Sequence, residues 1–188
     1  MKQLVILLVF GCSVMNAQVT NVTVNSGQSA LSSGLGLTVD LVIDKGVASI
    51  NFTSTSAQVN LLRKYSSSLL IGPTFGVHHN APWFAPLFSY TPIKPLSFIS
   101  WFGVIAGGPN KPDWDINFMF SYHAASFSAA NFKLGYSLLH YMMNKPMHLV
   151  DLGYTFLLTA NDKLSSSVTY DFRNQKPMYM ISLNHSFK

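Results

Sequence analysis

Apolar and polar residues take turns along most of this chain. Val150, Leu152, Tyr154, Phe156 and Leu158 alternate with Asp151, Gly153, Thr155 and Thr159. A strand points successive side chains to opposite faces, so this run has one greasy face and one polar face. The same period recurs in Leu37–Ile43 against Thr38 and Asp40, and in Ala48, Ile50 and Phe52 against Ser49, Asn51 and Thr53. It continues in Leu69, Ile71, Phe75 and Val77 against Gly72, Thr74 and Gly76. Downstream, Trp114, Ile116, Phe118, Phe120 and Tyr122 oppose Asp115, Asn117, Met119, Ser121 and His123. Phe132, Leu134, Tyr136 and Leu138 oppose Asn131, Lys133, Gly135 and Ser137. Leu164, Val168, Tyr170 and Phe172 oppose Ser165, Ser167, Thr169, Asp171 and Arg173. Turn-forming residues punctuate the runs at Asp44–Gly46, Asn144–Pro146, Ala160–Lys163 and Asn174–Pro177.

Three stretches are less regular. Gln18 to Gly36 is rich in Ser, Asn, Gly and Thr, and reads as a tail, a weak first strand or a plug. Thr55 to Tyr65 reads as a longer connection. Trp83–Tyr90 and Leu96–Ala106 are apolar on both parities and punctuated by Pro82, Pro86, Pro92 and Pro95. Two strands are expected there, although a buried hairpin or a partner-binding surface reads the same way. Pro73 within a strand calls for a bulge or an edge.

The last strand is the most specific. Tyr179, Ile181, Leu183 and Phe187 share one parity, and Ser182, Asn184 and Ser186 share the other. It ends in an aromatic residue one position before the C-terminus, and so resembles the closing strand of small bacterial outer-membrane β-barrels. That resemblance implies an all-β, closed antiparallel up-and-down transmembrane barrel. Counting predicts about ten strands over residues 37–188, with eight as the alternative, since such barrels have even strand numbers.

Composition agrees. Only 10% of residues are charged, against about 25% in an average soluble domain. A lipid-facing wall explains the deficit, whereas a secreted soluble β-sandwich, the rival fold, does not. Tyr122, Tyr136, Tyr154, Tyr170 and Trp114 are candidates for interfacial girdles. The net charge of +5 comes from scattered lysines with no basic helix, which argues against nucleic acid and for an anionic lipid surface.

The N-terminus reads as a secretory signal over residues 1–17: Lys2, the apolar run Leu4–Phe10, then small residues up to Ala17. Cys12, the one cysteine, could alternatively mark a lipidation site. If Cys12 leaves with the signal, the mature chain has no thiol chemistry. Residues 18–36 would then be a polar tail or plug. The implied location is the bacterial outer membrane.

Candidate chemistry follows from a ten-strand topology with both termini in the periplasm. Lys45, Lys111, Lys145 and Lys176 then fall on the outer rim, where they could hold lipid or lipopolysaccharide phosphates. Asp115, Asp151, Asp171, Arg173, Lys133 and His123 face the lumen as a charge network, with Asp151 and Arg173 as cross-strand neighbours. His140, His148 and His185 fall on the outward parity. His123 has Ser121 and Ser126 nearby, but Asp115 is too far along the strand to complete a triad, so no enzyme is expected. No metal or cofactor is implied. Trp83, Phe84, Phe88, Phe98, Trp101 and Phe102 are candidates for contact with another outer-membrane protein. Short connections favour a structural or accessory subunit of an outer-membrane complex. The alternatives are a narrow pore for small solutes or ions, and a lipid-modifying barrel enzyme.

Overall fold

The structure, a computed structural model, describes residues 17–28, 33–78, 81–108, 111–141 and 145–187. The expected signal peptide and Cys12 lie outside these residues, apart from Ala17. Twelve strands follow one another: β1 (Gln18–Gln28), β2 (Ser33–Ile43), β3 (Gly46–Thr53), β4 (Ser56–Lys64), β5 (Leu69–His78), β6 (Ala81–Ile93), β7 (Leu96–Gly108), β8 (Lys111–Ala129), β9 (Phe132–Tyr141), β10 (Met147–Leu157), β11 (Asp162–Asp171) and β12 (Lys176–Ser186). Each pairs antiparallel with its sequence neighbour, and β1 pairs with β12 to close the barrel. At the seam Val24 stands opposite Leu183, and the Phe187 N–H donates to the Thr20 carbonyl at 2.8 Å.

The barrel therefore has twelve strands, not ten or eight. The two extra are β1 and β4. Residues 18–28 form wall strand β1, not a tail or plug, with Val22 and Val24 outside and Asn21, Thr23 and Asn25 inside. The expected connection Thr55–Tyr65 contains β4, in which Ala57, Val59 and Leu61 alternate with Gln58 and Asn60. Both strands are short of large apolar residues, so their period was faint.

Two added strands also reassign the rims. The terminal rim carries both chain ends and the β2–β3, β4–β5, β6–β7, β8–β9 and β10–β11 connections. Lys45 lies there, whereas Lys111, Lys145 and Lys176 are at the far rim. The four lysines do not form one ring. All connections are two to five residues long.

Irregular pairing occurs where the sequence forces it. Pro73 and Pro86 stand opposite each other in β5 and β6. Neither can donate to the ladder on its other side. The β4–β5 pairing accordingly passes from Asn60–Thr74 to Arg63–Ile71, and the β6–β7 pairing from Phe84–Val104 to Leu87–Trp101. Pro73 thus sits mid-strand in a closed wall, not at an edge. Beside it, Gly72 lets β4 approach closely: a Cβ there would collide with the Leu61 carbonyl. In β8, Phe118 stands opposite Ile105 but Ile116 stands opposite Ala106. Two β8 steps match one β7 step there, and the register shifts again between Ala106 and Gly108.

A closed barrel in detergent should run at different mobilities cold and boiled. In Gly72→Val the added branched side chain should destabilise this barrel by about 1–3 kcal/mol. The gel band should then convert at a lower temperature than in wild type; an unchanged conversion temperature would contradict the close approach of β4.

Candidate functional site: the barrel lumen

Directly opposed residues in antiparallel strands share a face. On one face the large apolar side chains are open, with Leu152 60%, Tyr179 61% and Ile181 57% exposed. This is the outer wall, and the other face lines the lumen. Twelve strands spaced about 4.8 Å and tilted about 40° give a backbone cylinder of radius about 12 Å, against about 8 Å for eight strands. Side chains do not fill the larger circle from all sides.

The lumen has two unlike sides. From β11 through β12 and β1 to β4 it is lined mainly by half-buried amides and hydroxyls, with the Asp40 carboxylate on β2 beside Asn21. Asn60 is a junction: its Nδ2 donates to Ser49 Oγ at 2.8 Å, and its Oδ1 accepts from Gln58 Nε2 at 2.7 Å and from Thr74. Thr38 donates to Asn51 at 2.7 Å, Asn184 to Thr23 at 2.7 Å and Ser186 to Asn21 at 2.8 Å. Cross-strand bonds of this kind hold the polar side chains flat against the wall.

The opposite side, β6 to β8, is packed. Trp101 lies 5.2 Å from Trp83, 5.4 Å from Phe120 and 5.5 Å from Tyr122, ring centre to ring centre. Leu62, Ala85, Leu87 and Ile105 complete this buried cluster. Tilted and edge-on rings are the favoured aromatic geometry. Tyr122, expected in an outer girdle, instead faces the lumen beside Trp101.

Solved structures share this architecture. The chain matches a KdgM porin with TM-score 0.58 and 11% identity over 91% of this chain and all of the other. It matches a KdgM porin in complex with disordered oligogalacturonate with TM-score 0.60 and 13% identity over 91% of this chain and 100% of that one. A NanC porin matches with TM-score 0.57 and 13% identity over 90% and 99%. The chain has the fold of a bacterial outer-membrane β-barrel. No protein-family model and no curated protein matches it.

In this barrel the expected charge network is not assembled. Asp151 faces the lumen and accepts a hydrogen bond from Thr169, its cross-strand partner. Arg173 lies beyond β11 in the far-rim turn, where its Nη1 donates to the Lys145 carbonyl at 3.1 Å. Asp171 is buried, and accepts from the backbone N–H groups of Arg173 and Asn174 and from Asn174 Nδ2 at 2.6 Å. It caps a turn. Among the described residues the single ion pair is His185–Asp162, 2.8 Å, on the outer side of the terminal rim. Asp115 lies on β8 in the stretch whose side chains are not described.

His123 is not in the lumen. It lies on the outer wall with Leu138 opposite, and its Nδ1 is 2.8 Å from Ser100 Oγ. Neither Ser121 nor Ser126 is that partner; Ser126 bonds Ser97 across the lumen wall at 2.7 Å. The six expected contact residues also divide: Phe84, Phe88, Phe98 and Phe102 are outside, while Trp83 and Trp101 are inside.

Three lysines face the lumen, of which the sequence pattern points only to Lys133. Lys64 ends β4, and Lys163 is the second residue of β11. Lys133, the second residue of β9, was read as inward but not as part of a ring. By register all three share the lumen face, and all three are exposed. They stand at the terminal rim. All three also fall on the terminal rim in a ten-strand count; what that count lacked is β4, whose register turns Lys64 into the lumen.

If the Asn60 junction is held tight, Asn60→Leu should strand the partners of three hydrogen bonds. The expected loss is about 1–3 kcal/mol in urea unfolding from lipid vesicles. An unchanged urea midpoint would mean that lumen water replaces those bonds without cost.

Proposed function

We propose that this protein is a narrow outer-membrane pore for small anionic solutes. The observation that carries the proposal is the lumen: a twelve-strand barrel whose polar side is half-exposed, with Lys64, Lys133 and Lys163 pointing inward at one mouth. Rings of lysine or arginine favour anions in a pore. At this rim Asp162 is engaged by His185 on the outer side, which leaves the inward lysines unopposed by it. A cluster of one sign of charge at a mouth raises the local concentration of the opposite ion. The aromatic cluster narrows the passage from the other side.

The shared fold with KdgM and NanC porins supports the pore over the structural or accessory subunit that short connections first suggested. It also supports placement in the outer membrane, with the terminal rim in the periplasm and residues 1–17 as the export signal.

The refolded protein, inserted into planar lipid bilayers, should give discrete conductance steps. Under a potassium chloride gradient its reversal potential should report anion preference. Replacing Lys64, Lys133 and Lys163 together by Glu should reverse the sign of that potential. Folded, inserted protein without steps would sink the pore reading. Steps whose selectivity ignores the triple replacement would sink the role of the lysines.

A further inference from the structure

Among the described residues, the outer wall holds a hydrogen-bonded polar pair where hydrocarbon is expected. Ser100 on β7 stands opposite Phe88 on β6 and His123 on β8. Phe98 and Phe102 flank it along β7, and the Phe102 ring meets the His123 ring edge-on at 4.9 Å. On β7 the outward positions Leu96 and Phe98 separate Ser100 from the terminal rim, and Phe102, Val104 and Ala106 separate it from the far rim. The pair therefore lies within the apolar band and not at its border.

Its hydrogen bonding is incomplete by chemistry. An imidazole has two ring nitrogens, and the Ser100 contact uses Nδ1. Whichever group donates, Nε2 remains. Lipid chains offer it nothing, and an unpaired polar atom in hydrocarbon costs free energy. The other outer-wall histidines with recorded partners differ. His148, the second residue of β10, has the Tyr136 hydroxyl at 2.6 Å, and His185 has Asp162 at 2.8 Å. Both stand close to a rim, within reach of water.

We infer that this face of β6–β8 is covered by a second copy of this chain, with His123 and Ser100 at the centre of the contact. Polar side chains at membrane depth ordinarily face protein or a water-filled cavity. The pair carries both a donor and an acceptor, so it is self-complementary. Copies inserted in one direction can meet only about axes along the membrane normal, and a two-fold axis there lays this patch on itself. Ser121 and His140, opposite each other on the same face, extend the polar line toward the far rim. Among the described residues of β6 to β8 around it the outward side chains are uncharged, with Phe84 51% and Phe102 55% exposed. The connections beside it, 79–80, 94–95 and 109–110, are two residues each, too short to hold a neighbouring barrel away.

This inference rests on the membrane placement proposed above, and not on conduction. Phe102→Cys and Leu152→Cys, on well-separated parts of the outer wall, are expressed separately in the full chain and oxidised in isolated membranes. Phe102→Cys should give a disulfide-linked dimer, and Leu152→Cys little or none. Adding His123→Phe to Phe102→Cys should lower the dimer yield several-fold, with the cold and boiled bands of the monomer unchanged. Folded, membrane-inserted Phe102→Cys that stays monomeric overturns the inference and leaves the pore reading standing. So does equal dimer from Leu152→Cys, a dimer indifferent to His123→Phe, or an adduct with a different protein. Protein that does not reach the membrane overturns both readings together.

Discussion

Closure of the hydrogen-bond ladder between β1 and β12 is the constraint on which the rest depends. In hydrocarbon, no water satisfies an exposed backbone N–H or carbonyl, and each orphan costs several kcal/mol. An open sheet would present two such edges. Here the polar strand β1, with only two valines facing lipid in its middle, is held because it completes the circle. The aromatic end of β12 locks the same seam, with Phe187 bonded to Thr20 and its ring against His185 at 4.6 Å.

Closure at twelve strands also sets the interior. Area inside the wall grows with the square of the radius, while side-chain length does not change. At about 8 Å of radius side chains meet in the middle; at about 12 Å they leave a passage unless something fills it. This chain fills one side, with Trp83, Trp101, Phe120 and Tyr122 stacked against β6–β8. The other side it leaves to hydroxyls and amides that bind one another. A polar side facing an apolar one is the result.

Much of this was legible in the sequence. Period-two alternation in β2, β3 and β9 to β12 marked both the strands and their outward faces, because burial in lipid selects large apolar residues at every second position. Tyr136 and Tyr170 are exposed on the outer wall, and Tyr154 stands opposite Phe132 on the same face, as the alternation implies. The strand count was not legible, because β1 and β4 have few large outward residues. The lysine ring drawn from ten strands loses only Lys45, whose turn lies between the two missed strands; Lys111, Lys145 and Lys176 stay on the rim opposite the termini. The Asp151–Arg173 pair failed because Arg173 lies past the end of β11, in a turn capped by Asp171.

By itself, then, the sequence determined that this is an all-β chain with one lipid-compatible face, closed by an aromatic-ended strand. Those properties are local: each follows from a residue and its neighbours two positions away. Only the tertiary structure decided that His123 faces out and Tyr122 in, that Ser100 is the partner of His123, and that Lys64 faces the lumen together with Lys133 and Lys163. These depend on register between strands. The register of β8 against β7 shifts twice, and nothing in the alternation of that strand alone reveals where its partner loses step.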